Sequence, residues 1–247
     1  MLFGTFEEQF DLPSGFVKKS SSESRSDFIF KKERCFFSNV CLFIPKVRME
    51  ACLKRTLDIV CSLLFLIVFS PLFFIIAILI KIDRREPVFF LQKRCGRDGR
   101  EFNMYKFRTM VKDAEFLKKE LKSEIDGPMF KMKNDPRVTQ TGKFLRKWSL
   151  DELPQLLNVL KGDMSLVGPR PLAKEEMAGD NNNTWREIRL SVKPGVTGLW
   201  QIMGRTSGKF SDWVSYDIEY VQKKSVIMDL KILIMTAITI LRNTSTY

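Results

Sequence analysis

The longest apolar stretch of the chain runs from Ile59 to Ile80, 22 residues without a charged side chain. At a rise of ~1.5 Å per residue, a helix of this length matches the ~30 Å hydrocarbon layer of a bilayer. Ser70 and Pro71 lie near its middle, and proline deletes a helical hydrogen bond, so the helix is expected to bend or break there. The pattern predicts a membrane-inserted helix over residues 51–85, interrupted at Ser70 and Pro71.

Basic residues flank both ends of this apolar stretch. They are Lys46, Arg48, Lys54 and Arg55 before it, and Lys81, Arg84 and Arg85 after it. Because Lys and Arg mark the cytoplasmic side of a membrane segment, basic flanks at both ends favour a hairpin whose ends face the same side. Proline is also tolerated in helices that cross the membrane, so a kinked spanning helix fits the residues equally well.

A second apolar stripe lies close to the C-terminus. Its members at helical spacing are Leu230, Leu233, Ile234, Ala237, Ile238 and Leu241. The run is too short to span a bilayer, and its pattern fits a core helix and an interfacial helix equally well. Residues 86–247 are predicted to form the main soluble domain. Residues 1–50, with Ser-rich and aromatic patches but no clear periodicity, are predicted to be a poorly defined extension without a secretory signal peptide.

The composition of the chain limits which ligands and catalytic groups are possible. The chain has 247 residues and a net charge of +12, with 41 Lys and Arg against 29 Asp and Glu, which suits a nucleic acid, an anionic membrane or phosphorylated substrates. There is no histidine, which excludes Ser-His-Asp triads, His-ligated metals and imidazole bases. The five cysteines include no C-x-x-C pair, so neither a zinc site nor a disulfide framework is indicated, and a reducing compartment is expected.

Two adjacent carboxylates, Asp151 and Glu152, stand in the stretch SLDELPQL. Ser149 and Glu152 fit a capping box, and Asp151 as the cap would put Pro154 in the first helical turn, where its missing N–H costs nothing. The following helix would end near Gly162. Capping explains the residues taken alone, and a chemical role is the alternative.

Other positions favour chemistry. Arg170 stands between Pro169 and Pro171, in a stiff backbone suited to holding a guanidinium against a phosphate. Asp217 falls on the apolar stripe of a predicted helix, where a carboxylate is costly unless it is paired or functional. A structural arginine partner and a role in the site explain Asp217 equally well.

Five motifs occur in one order along the chain. They are Gln92-Lys93-Arg94-Cys95-Gly96, Tyr105-Lys106-Phe107-Arg108-Thr109-Met110, SLDELPQL, KGDMSLVGPRP from Lys161 to Pro171, and KPGVTGLWQIMGR from Lys193 to Arg205. Together they resemble the bacterial sugar transferases of polysaccharide initiation, the monotopic phosphoglycosyl transferases, over roughly residues 50–242. The match is specific because the motifs occur jointly.

The resemblance implies an α-rich α+β fold with one re-entrant, broken membrane helix and a catalytic domain with interfacial amphipathic helices on the cytoplasmic face of the bacterial inner membrane. It implies transfer of a sugar 1-phosphate from a nucleotide diphosphate sugar, expected to be a UDP-sugar, to a polyprenyl phosphate such as undecaprenyl phosphate. Mg²⁺ is the expected cofactor, downstream glycosyltransferases are possible partners, and nucleic acid is not expected to bind.

The resemblance also assigns residues. It implies that Asp151 is the nucleophile, that Glu152 is a magnesium ligand and that Asp217 is a further active-site carboxylate. The phosphate-binding basic cluster is then Lys106, Arg108, Arg146, Arg170 and Arg205, in which Arg108 and Arg170 are assigned mainly on chemical grounds. Asp151 would carry the sugar phosphate covalently. The alternatives are direct transfer within a ternary complex and a basic, membrane-tethered binding protein without catalysis.

Overall fold

A computed structural model describes residues 48–84, 86–118, 121, 123, 132, 134–178, 183–203 and 210–242. Apart from residues 48–50, the predicted N-terminal extension over residues 1–50 lies outside this part. The described residues belong to one compact unit. They form mainly helices with two small sheets, which confirms the α-rich α+β class.

The apolar stretch forms two helices, α1 over Arg48–Val68 and α2 over Ser70–Arg84, at an angle of 61°. The break lies where the sequence predicts it, and the Ser70 hydroxyl donates to the carbonyl of Ile67 at 2.8 Å. Within the described residues, no single helix is long and apolar enough to cross a bilayer, whereas the bent pair meets that criterion by combined length and composition.

Helix α1 turns a row of polar side chains towards the protein and large apolar side chains to the outside. Lys54, Asp58 and Ser62 are spaced four residues apart, so they share one face, and Asp58 and Ser62 are buried. The exposed side chains of α1 are apolar over most of its length. They include Leu53, Leu57, Ile59, Val60, Leu63, Leu64, Phe65, Ile67 and Val68.

The inward polar face of α1 is anchored on the rest of the domain. Lys54 Nζ donates to the carboxylate of Asp229, Asp58 Oδ1 accepts from the backbone N–H of Leu166 at 3.0 Å, and Arg55 donates to the carbonyls of Val159 and Leu160 at 2.7 and 3.0 Å. Buried polar groups are costly unless they are paired, so these contacts fix how α1 sits on the domain.

The first sheet is an antiparallel hairpin of β1, Phe89–Cys95, and β2, Glu101–Phe107, with Phe90 opposite Lys106 in register. Arg97–Gly99 forms a 3₁₀ turn between the strands. Side chains alternate between the two faces of a strand, so Phe90, Gln92 and Arg94 share one face of β1.

The remaining elements follow in chain order. They are α3 (Ala114–Leu117), α4 (Gln140–Lys147), a 3₁₀ turn (Leu150–Glu152), α5 (Gln155–Lys161), β3 (Ser165–Val167), α6 (Lys174–Ala178), α7 (Asn183–Leu190), β4 (Gly195–Thr197), α8 (Leu199–Met203), α9 (Phe210–Lys223) and α10 (Val226–Leu241). Strands β3 and β4 pair in parallel. A core cluster including Met104, Leu156 and Ile232 joins β2, α5 and α10.

Helix α10 is a core helix on only one of its faces. Ile232 is buried in the core, whereas Leu230, Ile234 and Leu241 of the predicted stripe are exposed by 58%, 53% and 78%. One face of α10 therefore packs on the domain, and another presents large apolar side chains to the surroundings.

Candidate active site

A sharp turn presents the two adjacent carboxylates. Ser149 adopts left-handed backbone angles (φ 54°, ψ 21°), and Leu150–Glu152 then forms the single 3₁₀ turn that precedes α5. A serine in this region is uncommon, and such strained positions concentrate at functional sites. Asp151 and Glu152 are buried, with exposures of 5% and 6%.

The predicted capping roles are wrong. Neither the 3₁₀ turn nor α5 has a side-chain cap hydrogen bond at its start, because Ser149 and Pro154 occupy the cap positions without making one. The predicted end of α5 is confirmed, since Gly162 closes the helix in a left-handed conformation, φ 92°. The two carboxylates are therefore available for contacts other than helix capping.

Glu152 joins two cations from distant parts of the chain. Its Oε1 accepts from Lys106 Nζ of β2 at 2.9 Å and from Arg170 NH2 at 2.9 Å. Burial alone would raise the pKa of Glu152, but Arg170 and Lys106 outweigh it and hold that pKa well below its usual range. Burial also lowers the pKa of Lys106, although Glu152 opposes the shift. Glu152 is therefore an ionised carboxylate with two strong charge-assisted partners.

Asp151 lies in a different situation from its neighbour. Its Oδ1 is buried and has no hydrogen-bond partner among the described residues. Burial and the adjacent Glu152 raise the pKa of Asp151, while Lys106, Arg146 and Arg170 favour its ionised form. A buried, unpartnered carboxylate oxygen is costly, so this atom is the strongest candidate for contact with a ligand.

Asp151 lies at the wall of a cavity of about 260 Å³. Its charged lining residues are Arg94, Lys106, Arg108, Lys112, Lys118, Arg137, Arg146 and Arg170, with Glu115, Asp135, Asp151 and Glu176. Eight cations against four carboxylates leave the lining positive, which suits a ligand with several negative charges. The cavity thus brings together Asp151 and four of the five predicted phosphate-binding residues, Lys106, Arg108, Arg146 and Arg170.

Close backbone packing positions Arg146 in this cavity. Thr139 caps α4 by accepting from the N–H of Gly142, and a Cβ at Gly142 would lie 2.1 Å from the carbonyl oxygen of Thr109. Only glycine permits this approach. Arg146 Nε in turn donates to Thr109 Oγ1 at 3.0 Å, so α4 is held against the end of β2.

Arg108 lies where the cavity approaches the helix pair. Its Nε donates to the carbonyl of Pro87 at 2.9 Å, NH1 lies 3.4 Å from the Glu86 carboxylate, and its guanidinium lies 5.7 Å from the centroid of the Phe90 ring. These contacts hold Arg108 beside an aromatic face within the cavity lining.

Asp217 lies outside the cavity lining. Its carboxylate is buried on α9, 3.4 Å from Arg189 NH2 of α7, so the structural arginine partner considered from the sequence is present. Arg189 lies 4.6 and 5.3 Å from the ring centroids of Trp185 and Trp213, and it donates to the backbone carbonyl of Arg170. Asp217 is thus connected to the cavity indirectly. It contacts Arg189, and Arg189 donates to the backbone of Arg170, whose side chain lines the cavity.

Sequence reasoning missed Arg189 and the polar residues at one end of the cavity. The signal for Gln92 and Arg94 was their alternation along β1, which places them on the same face as Phe90. Arg189 carried no local signal, because its partner lies on another helix.

The remaining predicted residues lie elsewhere. Arg205 lies outside the described residues, and Ser70 and Pro71 lie at the bend of the helix pair.

The donor atoms of the carboxylates bear on whether a metal ion fits this site. The described residues contain no group of three or more Cys, Asp or Glu side chains that could hold an ion. Asp151 and Glu152 nevertheless supply hard oxygen donors, one of them unpartnered. Mg²⁺ is bound in phosphate-transfer sites by one or two carboxylates, with substrate phosphates and water completing its shell, so these residues fit that ion.

The pH dependence of unfolding tests the buried pair of Asp217 and Arg189. Burial raises the pKa of Asp217 to about 6, although Arg189 and the indole groups of Trp185 and Trp213 favour the ionised form. This pKa exceeds the ~3.9 of an aspartate in the unfolded chain, so protonated Asp217 stabilises the folded state. That stabilisation is complete below about pH 4 and is lost as the pH rises through about 6. We expect the unfolding free energy of the wild type, relative to Asp217→Asn, to fall by about 3 kcal/mol over this range.

The measurement is thermal unfolding of both proteins in detergent across this pH range. Asp212→Asn, on the same helix but half-buried, is the matched control and should keep the pH dependence of the wild type. A difference between wild type and Asp217→Asn that stays constant with pH would show that Asp217 is already ionised throughout.

Comparison with known proteins identifies related sequences. Residues 49–243 match the family described as bacterial sugar transferase. The chain is 45% identical over 197 residues to galactosyl transferase CpsE of Streptococcus agalactiae, covering 77% of this chain and 42% of that protein. It is 44% identical over 209 residues to undecaprenyl-phosphate galactose phosphotransferase of Salmonella typhimurium, covering 81% and 43%.

A third relative is UDP-glucose:undecaprenyl-phosphate glucose-1-phosphate transferase of Klebsiella pneumoniae, 40% identical over 205 residues, covering 78% of this chain and 41% of that protein. The chain spans about two-fifths of the length of these relatives. The matched region contains all the described elements from α2 to α10, including the carboxylate pair and its cations. The chain belongs to the bacterial sugar transferase family.

Proposed function

We propose that the protein transfers a sugar 1-phosphate from a UDP-sugar to a membrane polyprenyl phosphate, such as undecaprenyl phosphate, and so initiates synthesis of a polysaccharide or glycoconjugate. The observation that carries the proposal is the buried, unpartnered Oδ1 of Asp151 at the wall of a cavity with eight cations. The names of two relatives, which specify undecaprenyl phosphate and a galactose or glucose phosphate transfer, support the substrate class.

In the proposed first step, Asp151 attacks the phosphorus that carries the sugar. A bond forms between a carboxylate oxygen and this phosphorus, and the bond to the bridging oxygen of the diphosphate breaks, so that UMP leaves with that oxygen and its electron pair. In the second step an oxygen of the polyprenyl phosphate attacks the same phosphorus and releases the Asp151 carboxylate. The acceptor is already an anion, so the step needs no strong base.

The cations solve an electrostatic problem in this chemistry. An anionic carboxylate must approach an anionic diphosphate, and fixed positive groups spread the charge that accumulates in the transition state. Lys106 and Arg170 are held in place by Glu152, and Arg146 is held by Thr109. Because these side chains are positioned before the substrate arrives, little reorganisation is needed during the reaction.

We also propose that Glu152 holds Mg²⁺, with the remaining ligands supplied by the diphosphate and water. When bound, the ion would neutralise charge on the phosphate oxygens. Glu152 suits this role because its cationic neighbours keep its pKa well below the usual range, so that it stays ionised near neutral pH.

The bent helix pair is proposed to insert into the cytoplasmic face of the bacterial inner membrane as a re-entrant hairpin. Its support is the polarity of α1, on which Lys54, Arg55 and Asp58 contact the protein while large apolar side chains cover the outside. Exposed apolar surface of this extent marks a lipid or protein contact. The exposed face of α10 adds a second apolar surface, and downstream glycosyltransferases are possible partners.

A binding protein without catalysis is less well supported. A basic surface for nucleic acid is expected to present its cations to solvent. Here Lys106 and Arg170 instead converge on a buried carboxylate next to a second carboxylate with an unpartnered oxygen.

The first test measures UMP release from a panel of UDP-sugars by the purified full chain with undecaprenyl phosphate and Mg²⁺. We expect one or a few sugars to give release that depends on both the acceptor and the ion, beyond a stoichiometric burst. Absence of release from every sugar in the panel, with well-folded protein, would overturn the proposed function.

The second test separates covalent from direct transfer. Asparagine at position 151 keeps the side-chain shape but is a far poorer nucleophile, so Asp151→Asn should lose turnover, by about 10⁴-fold or more, and form no sugar-phosphate adduct. Mass spectrometry of the wild type after brief exposure to the UDP-sugar without acceptor should detect the adduct. Glu175→Gln removes an exposed carboxylate outside the cavity and is the control with unchanged turnover. An active, adduct-free wild type would favour direct transfer.

The third test concerns topology. In a variant whose five native cysteines are replaced, single cysteines at Met49 and Asp83, both exposed, should be labelled from the same side of sealed membrane vesicles. Pro71→Leu restores a helical hydrogen-bond donor at the bend and should shift part of the population towards opposite-side labelling. Labelling of the two positions from opposite sides in the parent protein would establish a spanning segment.

A further inference from the structure

One end of the cavity carries a polar cluster that the proposed chemistry does not use. It consists of Gln92 and Arg94 of β1 and Glu176 of α6, and we refer to it as the β1–α6 cluster. All three residues line the cavity that contains Asp151. Arg94 belongs to the QKRCG motif, for which neither the sequence nor the proposed function supplies a role.

The cluster is built around Arg94. Its NH1 donates to Glu176 Oε2 and its NH2 donates to Gln92 Oε1 at 2.7 Å. Glu176 Oε2 also accepts from the backbone N–H of Ala173 at 2.8 Å, which fixes the carboxylate at the start of α6. Arg94 Nε is buried and has no hydrogen-bond partner among the described residues. The cluster is therefore fixed in position and still contains a donor without a protein acceptor.

The position of the cluster relative to the carboxylates follows from the hairpin. Phe90 and Arg94 lie on the same face of β1, about 14 Å apart at ~3.4 Å per residue. Lys106 pairs with Phe90 in register, whereas Arg94 NH1 lies 3.4 Å from the carbonyl oxygen of Pro171, the neighbour of Arg170. Lys106 and Arg170 both reach Glu152, so the carboxylate pair lies between the Phe90 end and the Arg94 end.

The two ends differ in charge and polarity. The Phe90 end has an aromatic ring beside Arg108, and a further cation, Arg146, which donates to Thr109 just beyond the end of β2. Those groups suit a nucleobase and a charged phosphate. At the Arg94 end the charges of Arg94 and Glu176 cancel, and the amide of Gln92 adds a donor and an acceptor. A neutral, hydrogen-bonding surface suits a polyhydroxylated group rather than an anion.

We propose that the β1–α6 cluster binds the hydroxyl groups of the donor sugar and determines which UDP-sugar is accepted. This inference rests on the proposed function, since it assumes that a phosphate group lies at Asp151. The nucleoside then extends towards Phe90 and Arg108, while the sugar lies against Gln92, Arg94 and Glu176. Hydrogen bonds to specific hydroxyls discriminate strongly between sugars because a mismatched sugar leaves buried polar groups unpaired.

The test measures equilibrium binding by titration calorimetry in an Asp151→Asn background, which prevents turnover. UDP-glucose and UDP-galactose differ in the orientation of one hydroxyl, and UMP lacks the sugar. We expect Gln92→Met and Glu176→Gln each to change the ratio of the two UDP-sugar affinities by about tenfold, the effect of one lost hydrogen bond. The affinity for UMP should stay within about twofold of the background value.

Glu175→Gln is the matched control, since Glu175 neighbours Glu176 on α6 but is exposed and does not line the cavity. It should leave all three affinities unchanged. A parallel loss of UMP affinity in Gln92→Met and Glu176→Gln would overturn the proposal by placing the nucleotide at the cluster. An unchanged preference between the two sugars would overturn it as well.

Failure of the subsite and failure of the proposed function give different results. A wild type that releases UMP, with cluster variants that keep its sugar preference, overturns the subsite alone. A protein that shows the expected sugar-dependent binding but releases no UMP from any UDP-sugar overturns the proposed reaction and supports the subsite. Gln92→Met keeps side-chain size and breaks no ion pair, so it tests the proposal even if Glu176→Gln fails to fold.

Discussion

The site depends on one carboxylate oxygen shared by two cations. Glu152 Oε1 accepts from both Lys106 and Arg170, and through them it connects the β hairpin, the 3₁₀ turn and the proline-flanked loop. These three segments are far apart in the chain, and Glu152 and Lys106 are largely withdrawn from water. Loss of Glu152 would leave Lys106 and Arg170 without the carboxylate that accepts from both of them, which is costly in a buried site. The same contact also leaves Asp151, the adjacent residue, facing positive charge.

Arg189 provides a second layer behind this contact. Its guanidinium lies over the rings of Trp185 and Trp213 and beside the carboxylate of Asp217, and it donates to the backbone carbonyl of Arg170. The prolines on either side restrict the backbone of Arg170, and Arg189 fixes its remaining carbonyl. The guanidinium of Arg170 is therefore oriented by contacts on both its side chain and its main chain. Asp217 is thereby connected to the backbone of Arg170 through Arg189, a connection that its place in the sequence alone does not reveal.

The sequence predicts features that depend on local backbone chemistry. Pro71 marks the helix break, and Gly162 marks the end of α5, because each residue has a restricted or unusual backbone preference. The prediction failed where tertiary contacts decide. Capping at Ser149 or Asp151 is expected from a short pattern, but Ser149 adopts a left-handed conformation and the Glu152 carboxylate pairs with Lys106 and Arg170.

Ion pairs between residues far apart in the chain could not be predicted from the sequence either. Asp217 was recognised as a carboxylate on an inward face, but nothing in its neighbourhood identifies Arg189 on α7 as its partner. The exposed stripe of α10 shows a related effect: an apolar pattern normally predicts the buried face, and here Leu230 and Ile234 are exposed while Asp229 is buried with Lys54. A helix that packs on the protein with one face and exposes a second apolar face loses the simple relation between apolar character and burial.

The anchoring of α1 connects this inverted polarity to the chemistry. Arg55 donates to the carbonyls of Val159 and Leu160 in the last turn of α5, where a cation is favoured by the helix dipole. The opposite end of α5 begins at Gln155, three residues after Glu152, and a seven-residue helix is about 10 Å long. In the proposed arrangement, α1 lies in the membrane and this short rigid helix sets the height of the carboxylates above it. A polyprenyl phosphate keeps its phosphate at the membrane surface, so a fixed height lets the acceptor reach Asp151 without leaving the lipid.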